Sequence, residues 1–218
     1  MNVFVLTTGR SGSLTFAEAC RHITNYTTGH ETRVGLVGEA RLAYPDGHIE
    51  IDNRLAWFLG RLEMSYGDGA YYVHLRRDDE ATAASHVKRW NKPAMRSYRK
   101  GILWGVDAGV DRMAMARDLS LTMNSNIEHF LRDKSKVMRM DIETAAGTFP
   151  AFWEAIGAEG DLAAALAEFS TRHHEGTAKR TTPRSASAAQ PSKGPKNAPG
   201  NPRRRRRSSR LARLLRRD

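Results

Sequence analysis

The sequence predicts an α/β fold, three layers deep around a central parallel sheet. Three observations carry this. Residues 3–6 and 70–75 are short segments of nearly unbroken apolar character, as in strands covered on both faces. Stretches with helical periodicity alternate with such segments, which is the order of a layered parallel sheet. The first 175 residues also have the size and the balanced charge of a single globular domain.

The elements follow in order. Val3-Phe4-Val5-Leu6 is a short buried strand ending in Thr7-Thr8-Gly9. A helix follows from Ser13, its expected N-cap, with Phe16, Cys20 and Ile23 on one face. Residues 25–33 read as a short strand running into a polar loop. Residues 34–52 have no clear pattern beyond the turn Pro45-Asp46-Gly47. A helix is expected over 53–66, with Leu55, Phe58, Leu59, Leu62 and Tyr66 as its stripe and Asp52 or Asn53 as its cap. Residues 70–75 form the next strand, and the acids Asp78, Asp79 and Glu80 open the helix after it, with Ala83, Val87 and Trp90 inward. Pro93 breaks residues 91–104. A long helix is expected over about 107–132, a fourth strand over 136–141, and closing helices over 149–156 and 161–169.

The chain has 218 residues and a formal net charge of +11, unevenly distributed. Residues 176–218 hold 14 of the 35 Lys and Arg and one acid, which leaves 21 bases against 23 acids in residues 1–175. The basic character therefore belongs to a tail, and it does not mark the domain as a nucleic-acid-binding fold. Five of the eight prolines lie in that tail and no aromatic does, so it is expected to be disordered. At its end, Leu211, Leu214 and Leu215 would line a short basic amphipathic helix over 207–217. An anionic membrane surface is one expected partner of the tail, through charge and modest leucine burial. An acidic polymer or nucleic acid ranks behind it. The organisation is thus a domain over 1–175 and a tail over 176–218. One cysteine, no apolar run of membrane-spanning length and no signal-peptide pattern point to a cytoplasmic protein, with peripheral attachment at the inner face of the membrane through the tail.

The strand–loop–helix at the N-terminus is the chemically informative segment. Gly9-Arg10-Ser11-Gly12-Ser13-Leu14-Thr15 joins a strand to a helix N-terminus, where backbone N–H groups and the helix dipole favour an anion. Arg10 adds fixed positive charge, and Ser11, Ser13 and Thr15 add hydroxyl donors. The segment is not a nucleoside-triphosphate loop, because Leu14 and Thr15 stand where Gly and Lys would be required.

Thr7-Thr8-Gly9-Arg10-Ser11-Gly12-Ser13 resembles the 5′-phosphosulfate loop of sulfotransferases, particularly the bacterial and carbohydrate type. The family's second signature is an Arg after a strand and a Ser eight residues later. Arg77 and Ser85 match it, with Arg76 as the competing arginine. A strand ending near a glutamate, as at Met140-Asp141-Ile142-Glu143, also resembles the family. The likeness covers roughly residues 3–175. It implies a P-loop-like sulfotransferase fold and the donor 3′-phosphoadenosine 5′-phosphosulfate (PAPS), with no metal required. It implies cofactor contacts from Gly9, Arg10, Ser11, Gly12, Ser13, Leu14, Thr15, Arg77 and Ser85. The acceptor would be a hydroxyl, of a carbohydrate or glycolipid. Arg10 would stabilise transition-state charge, since it cannot serve as a proton donor. Glu31 is the preferred general base, because some bacterial members place a catalytic glutamate shortly after the first βα unit. His30 is the runner-up, because imidazole is a side-chain type suited to base chemistry near neutral pH. Two alternatives stand beside this reading. One is a non-catalytic PAPS- or nucleotide-binding module localised by its tail, and the other is a divergent nucleotide-dependent kinase.

Overall fold

The computed structural model describes residues 1–107 and 109–171. The basic tail, the amphipathic helix expected over 207–217 and the expected end of the domain at 175 lie outside the described residues. Five strands make one parallel sheet: β1 (Val3–Leu6), β2 (Thr27–His30), β3 (His48–Ile51), β4 (Tyr71–Arg76) and β5 (Val137–Asp141), in the order β2-β3-β1-β4-β5. The helices are α1 (Ser13–Cys20), α2 (Leu59–Tyr66), α3 (Asp79–Lys88), α4 (Pro93–Ser97), α5 (Arg112–Leu131), α6 (Ala145–Ala155) and α7 (Leu162–Glu168).

Alternation along β1 shows why the strands read as continuously apolar. Val3 and Val5 join Phe16, Cys20, Ile49, Val73, Leu75, Phe149 and Phe152 on one side, beneath α1, α6 and α7. Phe4 and Leu6 join Leu62, Tyr72, Ala83, Leu119, Met123 and Ile127 on the other, beneath α2, α3 and α5. Both faces are covered, so neither side of the strand can be polar. Burial pushes the Cys20 thiol well above its usual range, as suits a core residue.

Three local expectations are corrected. Gly12, in the left-handed region at φ 75°, is the N-cap of α1, and Ser13 is its first residue. The helix expected over 53–66 is two pieces, a 3-10 turn (Asn53–Trp57) and α2, separated at Phe58. Asp52 does cap the first piece, accepting from Arg54 N at 2.8 Å. The third correction is the largest. β3 lies inside the segment that shows no sequence pattern, yet it pairs with both β1 and β2 and all four of its residues are buried. It alternates His48 and Glu50 with Ile49 and Ile51, which reads as a half-exposed strand, but hydrogen bonds inside the fold satisfy the polar pair.

The chain leaves β1 for β2 toward one edge of the sheet and leaves β4 for β5 toward the other. The adjacent pair β1/β4 is therefore the switch point, and ligands of open α/β sheets bind in the crevice outside the carboxyl ends of such a pair. Among the described residues, no helix is long and apolar enough to cross a membrane.

Candidate functional site

The segment after β1 forms a tight loop. Gly9, Arg10 and Gly12 all have left-handed backbone, at φ 76°, 66° and 75°. A Cβ on Gly12 would collide with the Ile142 side chain, and one on Gly9 would meet Asn53. Glycine is thus required at Gly12 by both conformation and space. Inside the loop, the Thr8 and Ser11 hydroxyls meet at 3.1 Å, and Ser11 also donates to the Gly9 carbonyl at 3.3 Å. Ser11 is 1 % exposed, so its hydroxyl braces the loop and is not the outward donor expected from sequence. The first-turn N–H groups of Ser13, Leu14 and Thr15 have no intrahelical acceptors, and Gly12 offers no side chain to cap them.

The second motif converges on this loop. Arg10 Nε donates to Ser85 Oγ at 3.0 Å, and Arg77 Nη1 donates to the Arg10 carbonyl at 3.2 Å. Residues 75 and 67 positions apart are thereby joined across the β1/β4 crevice. Arg76 does not take part. It is at the end of β4, 3.9 Å from Asp141, and it lines a different cavity together with His74. Arg10 has its pKa lowered to about 10, first by partial burial and then by the neighbouring cations Arg89 and Arg77. Cations gathered at the carboxyl ends of strands are poised for an anion, whose charge would relieve their mutual repulsion. Glu143, after β5, lies 3.9 Å from Arg77 and accepts from Asp78 N at 3.2 Å.

Behind the loop lies His86, only 2 % exposed, with its Nε2 unpartnered and its ring bonded to the Thr8 backbone. Burial and the Arg10 charge depress its pKa to about 4, against the opposing effect of the Thr8 bond, so it is neutral at pH 7. Nothing in the local sequence distinguishes His86 from a surface residue of α3.

The candidate bases stand at the end of β2. His30 Nε2 lies 3.2 Å from Ser13 Oγ, against the start of α1. Glu31 has left-handed backbone at φ 54°, and its carboxylate pairs with Arg54 at 2.8 Å. Asn53 and Arg54 were legible only as a cap and a helix residue, because β3, which carries them to the crevice, is hidden in the sequence. Asp52 is buried and ion-paired to buried Arg41 at 2.5 Å, which anchors this end of β3.

Next to these groups is a cavity of about 280 Å³ lined by Asn53, Arg54, Trp57, Phe58, Tyr98 and Met123, among others. Asn53 ties it to Gly9 and Arg54 ties it to Glu31. A larger cavity of about 960 Å³ lies between α3 and α5, lined by His74, Arg76, Glu80, Arg117 and Glu128. None of the loop residues borders it, so the larger volume is not the better candidate. His74 in its wall is fully buried, with Nδ1 2.7 Å from Glu128 and Nε2 3.1 Å from Asn124. Among the described residues, no group of three or more His, Cys, Asp or Glu could hold a metal ion.

The fold has counterparts of known structure. The sulfotransferase domain from the curacin biosynthetic pathway superposes with a TM-score of 0.56 at 14% identity, over 76% of each chain. The chain has the sulfotransferase fold. Mouse sulfotransferase SULT7A1, complexed with PAP, superposes with a TM-score of 0.51 at 12% identity, over 78% of this chain and 63% of that one. No family model and no curated protein sequence matches the chain.

Proposed function

We propose that the protein is a PAPS-dependent sulfotransferase acting on a hydroxyl of a carbohydrate or glycolipid. The observation that carries this reading is the convergence of Arg10, Arg77 and Ser85 across the β1/β4 crevice of a sulfotransferase fold. The residues fit the donor. Two guanidiniums, a serine hydroxyl and uncapped helix amides suit a molecule with a phosphosulfate at one end and a 3′-phosphate at the other. Arg10 and the amides of Ser13, Leu14 and Thr15 would hold the phosphosulfate, and Arg77 and Ser85 the 3′-phosphate. When bound, PAPS supplies a sulfuryl group already attached to a good leaving group.

The chain's own residues then orient and deprotonate. Arg10 places a permanent positive charge where negative charge accumulates on the leaving oxygen. Glu31 accepts the acceptor's proton at its carboxylate, and Arg54, 2.8 Å away, directs that carboxylate. His30, against Ser13, is the second candidate for this proton. The cavity lined by Trp57, Phe58 and Tyr98 receives the group that carries the hydroxyl. We further propose that the basic tail holds this cytoplasmic enzyme at an anionic membrane surface.

The test is transfer of radiolabelled sulfate from PAPS to a glycan and glycolipid pool, with binding of the product PAP measured in parallel. Transfer that is lost in Arg10→Ala supports the reading. Absence of both transfer and PAP binding overturns it.

A further inference from the structure

A left-handed backbone at a non-glycine residue is strained and persists only where its surroundings hold it. Glu31 is such a residue, at φ 54°. Two hydrogen bonds bracket it. Its own N–H donates to the Ile51 carbonyl at 3.0 Å, and the next N–H, of Thr32, donates to Glu50 Oε1 at 2.8 Å. The Thr32 hydroxyl donates to Glu50 Oε2 at 2.6 Å.

Glu50 is a fully buried carboxylate on β3. A third donor, His48 Nε2, reaches Oε2 at 2.9 Å. With that nitrogen protonated, the neutral ring presents Nδ1 as an acceptor to the Thr27 hydroxyl, 2.8 Å away. Gly29 completes the arrangement. The space a Cβ would fill there is occupied by Glu50 Oε2, Thr32 Cγ2 and His48 Nε2. A buried carboxylate with three donors is a stiff fixture, and here it is fastened to the residue that follows the candidate base.

We infer that Glu50 is a positioning residue, whose buried carboxylate locks the Thr32 end of the left-handed turn and so aims Glu31 into the crevice. The inference rests on the reading of Glu31 as the base. Gln at position 50 has the same shape but is neutral with a single acceptor oxygen: its NH2 faces either the Thr32 N–H, which cannot accept, or the Thr32 hydroxyl and His48 Nε2, which must turn to accept, and in both cases the charge-assisted bonds to Thr32 are lost and the lock loosens.

A crystal structure of Glu50→Gln should show residue 31 out of the left-handed region and away from Arg54. Residue 31 still at its native φ, with the Arg54 pair intact, overturns the inference. Kinetics supply a second reading, with radiolabelled PAPS and octyl glucoside as the acceptor probe. Turnover should fall about tenfold or more in Glu50→Gln while PAP affinity moves less than about twofold, and in a Glu31→Gln background Glu50→Gln should add no further loss, as expected for residues acting as one unit. Losses that multiply in the double variant, or a fall in PAP affinity matching the fall in turnover, overturn the positioning role alone. Full turnover in Glu31→Gln instead overturns the reading of Glu31 as the base. Should Glu50→Gln fail to fold, Thr32→Val removes one bond of the lock while keeping the shape, and it should show the same split in weaker form; unchanged turnover in it overturns the inference.

Discussion

Arg76 and Arg77 are adjacent in sequence, similarly exposed and both close to a carboxylate, yet only Arg77 reaches the loop after β1. Their side chains are 44 % and 37 % exposed, and their carboxylate partners Asp141 and Glu143 are each 3.9 Å away. Burial and pairing therefore do not separate them; position across the sheet does. Arg77 donates to the Arg10 carbonyl, whereas Arg76 lines the cavity between α3 and α5. If Arg77 holds the 3′-phosphate, Arg77→Ala removes a charge-assisted contact in a partly solvated site. Truncating such a contact costs about 2–3 kcal/mol, the lower part of the range for buried hydrogen-bonded charge pairs because a third of the side chain is in water. At about 1.4 kcal/mol per decade, PAP affinity should fall about 30- to 150-fold. Arg76→Ala should stay within about twofold of the wild-type Kd, because only solvent-screened charge at a distance is lost. Isothermal titration calorimetry with PAP measures both. A loss in Arg76→Ala equal to or larger than that in Arg77→Ala would refute the assignment, as would an unchanged Kd in Arg77→Ala.

Two further predictions follow from the same geometry. Gly12→Ala forces an alanine into φ 75° and against the Ile142 side chain, so it should destabilise the fold by about 1–3 kcal/mol in urea unfolding and abolish PAP binding; native stability and Kd would show that the loop tolerates a side chain. His86 has its folded pKa depressed to about 4, against an unfolded value near 6.5. A depressed base binds fewer protons when folded, so its neutral state stabilises the fold above pH 6.5 and that contribution declines as the pH falls from about 6.5 to about 4, by up to about 3 kcal/mol. Buried His74 is shifted in the same direction by desolvation. Urea midpoints should drop over this window and drop less in His86→Gln; identical pH profiles for the two proteins would show that His86 does not titrate there.

Much of the site is local in sequence and was therefore readable. Gly9, Arg10 and Gly12 sit in one loop, and the spacing of Arg77 and Ser85 places one just before α3 and the other in the second half of that helix. The role of Ser11 could not be read, because a hydroxyl in a loop looks the same whether it faces solvent or, as here, the Gly9 carbonyl and Thr8. The sheet was only partly legible. β1 and β4 are buried on both faces by apolar contact alone, so their composition announces them. β3 is equally buried but carries His48 and Glu50, whose cost of burial is offset by Thr27 and Thr32, residues 21 and 18 positions away. Such compensation has no signature along the chain.

Sequence alone determined the alternation of strands and helices, the anion-ready loop and the confinement of net positive charge to residues 176–218, since each depends on neighbouring residues or on simple counting. Tertiary structure decided which arginine joins Arg10, where Arg54 meets Glu31 and what holds Glu31 in a left-handed turn. Those answers depend on the strand order β2-β3-β1-β4-β5, which brings together residues far apart in the chain at the carboxyl ends of parallel strands.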